Sequence, residues 1–369
     1  MQPAPPRPPV LNLKDLDLEE LAAALAPLSP TRTEVLKLFA SVFAHGAASL
    51  AEVARARQVT APVRDWVQGH ATLPALEVVE RRAAPDGFVK YLFQSPLGGR
   101  FEAVRIPLFD TKYVVCISSQ VGCALGCDFC MTGKLGFSRN LETWELVDQV
   151  LRIRSEATLP VRGVVFMGMG EPLLNYRATT RAARILCHPA GLAIAARAMT
   201  FSTAGWVPGI RQYLKDALPY RLAFSLTSAI PAKRAQVLPV EATWPLPTLV
   251  AEVRRYAELR GERAMLAYVM MSGFNVGLED ALALRDVFQG IPVKVDLIDV
   301  TDPTGKYQPP TEAELAAFRS HLQVLKAPIA RRYSGGKDID AACGTLAATR
   351  RGGTVLGPPP PLDVGQSSR

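Results

Sequence analysis

Residues 121–137, VGCALGCDFCMTGKLGF, set Cys123, Cys127 and Cys130 at a C-x3-C-x2-C spacing, with Cys116 seven residues upstream and Cys343 far downstream. Three thiolates can hold three irons of a cubane cluster and leave the fourth iron open, where a small molecule can bind and be reduced. Structural zinc is the plainer alternative. It is four-coordinate and usually draws on paired knuckles, yet the chain has no second C-x2-C, and His45, His70, His188 and His321 all lie away from the triad. The spacing favours an iron–sulfur site built for chemistry.

Outward from this loop the chain alternates strand and helix. KYVVCISS precedes the cysteines and LETWELVDQVLRIRSEA follows them; RGVVFMGMG precedes RATTRAARILC, and AMTFSTAG precedes VPGIRQYLKD. RLAFSLTSA, MLAYVMM, VKVDLIDV and APIARRYS continue the rhythm. Repeated βα units need parallel strands with crossover helices, so residues 111–350 are expected to form an α/β fold with a partial or full (β/α) barrel, active at its strand C-terminal ends. Upstream, DLEELAAALAPL and TRTEVLKLFASVFAHG space their apolar residues by three to four, which predicts a small helical domain over 15–75. ALEVVERRAAPDGFVKYLFQSPLGGRFEAVRIPL alternates around Pro-Asp-Gly and Gly-Gly turns and predicts a short strand meander over 76–110. The Pro- or Gly-rich residues 1–14 and 351–369 read as disordered tails.

Hydrophobic residues at 49% and charged residues at 21% describe an ordinary soluble core. Prolines occupy the N-terminus where a signal peptide needs an apolar run, and no stretch approaches about 18 uninterrupted apolar residues. A cytoplasmic chain with no membrane contact is expected, and the clustered cysteines suit a reducing compartment. Residues 1–110 carry 12 Lys and Arg against 12 Asp and Glu, so the remaining 30 basic and 22 acidic residues hold the whole net charge of +8. That excess suits an acidic partner, with nucleic acid first among the candidates, or a merely basic soluble surface.

In VVFMGMGEPLLNY, Gly168 and Gly170 let the backbone approach a ligand and Glu171 can receive an ammonium or hydroxyl. A bare GxGE is more often a plain turn. Following an open-iron triad by one βα unit, it resembles the loop with which radical S-adenosylmethionine (SAM) enzymes hold the methionine amino group. CISSQVGCALGCDFC, GFSRNL, MGMGEPLLNY, STAG followed by VP, LAFSL and GGKDIDAACG together resemble the RlmN/Cfr family of radical SAM RNA methyltransferases over residues 30 to 348.

The resemblance implies a radical SAM partial (β/α) barrel with a 4Fe-4S cluster and SAM as cofactors, methylating C2 of an adenosine in 23S rRNA, with tRNA as a further substrate. It implies that Cys343 is methylated by one SAM, that a radical made from a second SAM activates this methyl group to add to the base, and that Cys116 then attacks the Cys343 sulfur to leave a disulfide. The chemical need is plain: C2 of adenine has no lone pair with which to displace a methyl group. Glu102 matches the family's catalytic carboxylate. Gly170, Glu171, Ser202, Ser225, Leu226 and Thr227 match SAM contacts. Two departures stand out. Relatives often have histidine at Thr227, and the usual Asn-Pro pair is replaced by DVTDPTG, which puts Asp302 or Thr301 near the SAM adenine.

Arg331, Arg332, Lys337, Lys134 and Arg139 are expected near the site, either as phosphate partners or as solvated rim charge. Cys187 reads as packing. The resemblance also implies an electron donor such as flavodoxin or ferredoxin, and a monomer is expected. Two other readings stay open: C8 methylation of the Cfr type, and a catalytically silent Fe-S RNA-binding protein. The presence of both Cys116 and Cys343 argues against the silent reading.

Overall fold

The computed structural model describes residues 10–347. The tails expected at residues 1–9 and 351–369 lie outside the described residues. The strands are β1 (Leu11–Asn12), β2 (Ala71–Thr72), β3 (Glu77–Ala83), β4 (Val89–Gln94), β5 (Arg100–Leu108), β6 (Lys112–Cys116), β7 (Gln120–Gly122), β8 (Phe137–Asn140), β9 (Val161–Phe166), β10 (Met199–Thr203), β11 (Arg221–Ser225), β12 (Ala264–Met270), β13 (Val293–Asp299) and β14 (Ile329–Arg331). The helices are α1 (Leu18–Leu25), α2 (Arg32–Phe43), α3 (Leu50–Ala54), α4 (Ala61–His70), α5 (Met131–Lys134), α6 (Thr143–Ser155), α7 (Tyr176–Cys187), α8 (Val207–Lys215), α9 (Pro231–Val237), α10 (Val240–Thr243), α11 (Leu246–Arg260), α12 (Leu278–Val287) and α13 (Glu312–His321).

Helices α1 to α4 form the N-terminal helical unit. Reciprocal capping pairs start α1 (Asp17 with Glu20) and α2 (Thr31 with Glu34), each satisfying two backbone donors that a helix start leaves free. Val35, Leu38, Phe39 and Val42 repeat at helical spacing along α2 and are all buried. Residues 10–14 depart from the expected disordered tail: β1 pairs with β2 in parallel, and Lys14 is buried against Asp148 of α6 at 2.6 Å. A lysine can be buried this way because Asp148 and the Pro74 carbonyl both accept from its ammonium.

One ten-stranded sheet runs in the order β14-β13-β12-β11-β10-β9-β6-β5-β4-β3. From β6 to β14 every pairing is parallel, which gives the expected partial barrel; β5, β4 and β3 extend it antiparallel. The meander is therefore part of the barrel sheet, because Val104 to Leu108 pair with Cys116 to Lys112. A separate hairpin, β7 with β8, grips the two ends of the cysteine loop. It needs glycine at Gly122, where φ is +77° and a Cβ would stand 1.8 Å from the Gly136 carbonyl oxygen.

Candidate active site

The three clustered cysteines occupy the loop from β7 into α5, at the C-terminal end of the barrel. All three line one cavity with Gly170, Glu171, Ser202, Ser225, Asp299 and Thr301. Burial pushes each thiol up, Cys123 to about 12, so a positive group must join them before they become thiolates. Among the described residues no group of three or more His, Cys, Asp or Glu surrounds a single metal position. A cubane makes no such demand, since each thiolate binds a different iron.

Glu171 is 3% exposed. Its carboxylate accepts from the Leu173 N–H at 3.1 Å and the Ala204 N–H at 2.9 Å, and burial lifts it to about 7. Gly170 before it has φ +97°, and a Cβ there would meet Gln120 at 2.5 Å. Only glycine lets this turn lie against β7 and aim Glu171 at the sulfurs. The Ser202 and Ser225 hydroxyls are 3.3 Å apart across neighbouring strands.

Three expected SAM contacts are placed differently. Leu226 and Thr227 are buried behind the wall, outside the cavity lining; Thr227 sits at φ +60°, and its carbonyl accepts from Asn275. Asp302 also does not line the cavity. Its carboxylate caps its own loop, accepting from the Thr304 N–H and hydroxyl and the Tyr307 N–H, with Lys134 at 3.7 Å. Thr301 takes the place facing the cavity, where its Oγ1 and the Oδ1 of Asp299 are buried without a hydrogen-bond partner. Unpaired buried polar atoms are costly, and a ligand in the cavity would give both of them a partner.

A larger cavity of about 760 Å³ adjoins the first and shares Cys130, Thr132, Met167, Gly168, Ile298, Arg332, Cys343 and Gly344 with it. Cys116 ends β6 on its wall, buried, and burial first and Cys343 second push its thiol up to about 12. Cys343 is exposed on a strap, residues 332–347, that crosses between the edges of the open sheet. The Met131 N–H donates to the Gly344 carbonyl at 2.8 Å and the Thr132 hydroxyl to the Leu346 carbonyl at 2.7 Å, so α5 ties the strap to the cysteine loop. Glu102 on β5 lies beneath the strap and lines neither cavity. It accepts from the Ala347 N–H at 2.7 Å, faces Lys90 at 3.1 Å, and is held above the usual carboxylate range by burial.

The sequence leaves Arg234 unmarked and the role of Arg332 open. Arg234, 0% exposed, donates to Glu241 and to the carbonyls of Ala204, Ser225 and Leu226, fixing the ends of β10 and β11. Arg332 lines both cavities and pulls the Cys116 thiol down. Nothing in PAKRAQV marks Arg234; Arg332 is expected near the site as a phosphate partner or rim charge, and its place beside the Cys116 thiol is what the sequence does not show.

The radical SAM superfamily pattern matches residues 117–276. A probable RNA methyltransferase of Myxococcus xanthus is 69% identical over 346 residues, 94% of this chain and 97% of that one. The chain belongs to the RlmN-like family of radical SAM RNA methyltransferases. One Anaeromyxobacter strain has two relatives of this family member: a probable RNA methyltransferase at 51% identity, covering 80% of this chain and 88% of that one, and a dual-specificity RNA methyltransferase RlmN at 36%, covering 97% of both. A radical SAM methyltransferase structure from Sphaerobacter thermophilus superposes with a TM-score of 0.84 at 33% identity, over 92% of this chain and 99% of that one.

Radical SAM enzymes bind a 4Fe-4S cluster and SAM, and the residues of this RlmN-like chain fit both. Cys123, Cys127 and Cys130 would hold the cluster; Glu171, Ser202, Ser225, Thr301 and Asp299 line the same cavity and would supply polar atoms for an amino acid and a nucleoside beside it. Among the described residues no helix is long and apolar enough to cross a membrane.

Proposed function

We propose that this enzyme methylates C2 of an adenosine in 23S rRNA, with tRNA as a further substrate, by carrying the methyl group on Cys343. The observation that carries the reading is that Cys116 and Cys343 line one cavity which joins that of the cysteine triad. The cofactors supply a methyl group to the Cys343 sulfur and then the radical that activates it. What remains falls to the chain. Cys343 bonds through its methylene carbon to the base; the adduct gives up its unpaired electron to a one-electron acceptor of the iron–sulfur class and its ring proton to Glu102; the Cys116 thiolate then bonds to the Cys343 sulfur as the sulfur–carbon bond breaks with its electron pair on the methylene carbon, which takes up a proton, leaving a disulfide and a methylated base. Cys116 must first lose its proton, and Arg332 is the cation that eases this. Glu102 lies beneath the strap and lines neither cavity, so the strap must shift for the base to reach it.

The reading requires a low-potential electron donor of the flavodoxin or ferredoxin kind and is framed for a cytoplasmic monomer. A second reading is favoured by the two relatives in one Anaeromyxobacter strain: the present chain aligns at 51% with the one not named RlmN, and two enzymes need not modify the same atom. C8 of adenosine is then the target. Mass spectrometry of RNA nucleosides from cells with and without the gene separates the readings. Loss of 2-methyladenosine supports the first and loss of 8-methyladenosine the second; unchanged methyladenosines would defeat both.

A further inference from the structure

The larger cavity has a second mouth, at the end of the barrel away from the cysteine triad. Lys112 opens β6, Arg162 is second in β9, Arg197 lies in the turn before β10 and Arg221 opens β11. All four line the far mouth of the larger cavity. Arg263, just before β12, and Lys294, second in β13, carry the row along the next two strands. Each of six adjacent parallel strands thus begins with a cation. None of the six side chains has a hydrogen bond or ion pair among the described residues, and the four arginines are exposed. Of the five cations expected at the active end, four are occupied by contrast, Arg139 by Glu145, Lys134 by Asp302, Arg331 by Asp299 and Glu312, and Arg332 by Asp296, and the Lys337 side chain alone has no partner among the described residues.

Phe109 stands beside this row in the turn between β5 and β6. It is 83% exposed, lines the same mouth and has φ +52°, with Asp110 after it at φ +50°. A bulky side chain held in the left-handed region is strained, and glycine or asparagine would fit the turn better. Strands stand about 4.8 Å apart, so six of them present charge over roughly 25 Å, too long for one small anion and suited to a run of phosphates. An aromatic ring beside such a groove is how proteins hold single-stranded nucleic acid. An acidic redox partner is the poorer fit, because the height of the barrel, roughly 20 Å, would separate it from the cysteine triad.

We infer that the N-terminal face of the barrel is a second RNA-binding surface, holding a single-stranded segment of the RNA by its phosphates with one base stacked on Phe109. The inference rests on RNA being the substrate. Its test uses fluorescein-labelled oligouridine of about twelve nucleotides, titrated with the full chain at several salt concentrations. Oligouridine contains no adenosine, so its binding stands or falls apart from the methylation assay. The wild type should bind it with strong salt dependence. Arg162→Ala with Arg221→Ala should flatten the slope of log K against log salt by about 1.4, since each lost phosphate contact on a single strand is worth about 0.7. Phe109→Ser should weaken binding roughly 5- to 100-fold and leave the slope unchanged. Unchanged affinity in both variants would overturn the inference. So would equal competition by polyglutamate together with no effect of Phe109→Ser, which would mark a general site for acidic proteins.

Discussion

Cys116 and Cys343 line the same cavity from opposite kinds of structure. Cys116 ends a central strand, with β5 and β9 hydrogen-bonded on either side. Cys343 rides on a strap with a single 3-10 turn; past Arg332, which is bonded to β13, the strap is held by a few bonds to Asp86 between β3 and β4, to α5 and to Glu102 on β5. In the proposed reaction the thiol that attacks a sulfur brought to it can be fixed. The thiol that would visit SAM, then the base, then Cys116 has to move, and hydrogen bonds at the strap's ends are cheaper to break than strand pairings.

Removing the carboxylate under the strap should have the largest effect. Glu102→Gln retains an acceptor for the Ala347 N–H but cannot take a proton, so the methylation rate should fall by about 10²- to 10⁴-fold. A base works ionised, and burial raises Glu102. The wild-type rate should therefore climb with pH on a limb displaced above the usual carboxylate range, and the limb should vanish in the variant. A rate near wild type for Glu102→Gln would make Glu102 a strap anchor.

A smaller effect is expected from loosening the strap at its other end. The Asp86 carboxylate accepts from the Tyr333 hydroxyl at 3.1 Å and the Gly336 N–H at 2.8 Å. Asp86→Ala should cost about 1 to 2 kcal/mol locally, seen as roughly tenfold faster hydrogen exchange at Gly336 with Val115 unchanged. Equal acceleration at both positions would mean that strap and wall open together.

Much of this contrast was legible in the chain. The cysteine spacing, the glycine before Glu171 and the alternation of strand with helix depend on neighbours close in sequence, and all fall where expected. Contacts that close over long separations were not legible. Leu11 and Asn12 look like tail until Ala71 and Thr72 pair with them. Asp302 and Thr301 are interchangeable on paper, and only the turn at Thr304 and Tyr307 decides which one faces the cavity. Arg234 matters through carbonyls on two strands, which no residue pattern announces.

The division between fixed and carrying thiol is tested most directly by weighing the tryptic peptide that contains Cys343 after nuclease digestion of protein purified from cells. Wild type should show a methyl increment on it. Cys116→Ala should show a nucleotide-sized increment, because the base has been attacked and nothing displaces the sulfur; Cys343→Ala should carry neither mass on that peptide and should not copurify with covalently attached RNA. An unmodified Cys343 peptide in both wild type and Cys116→Ala would contradict the account.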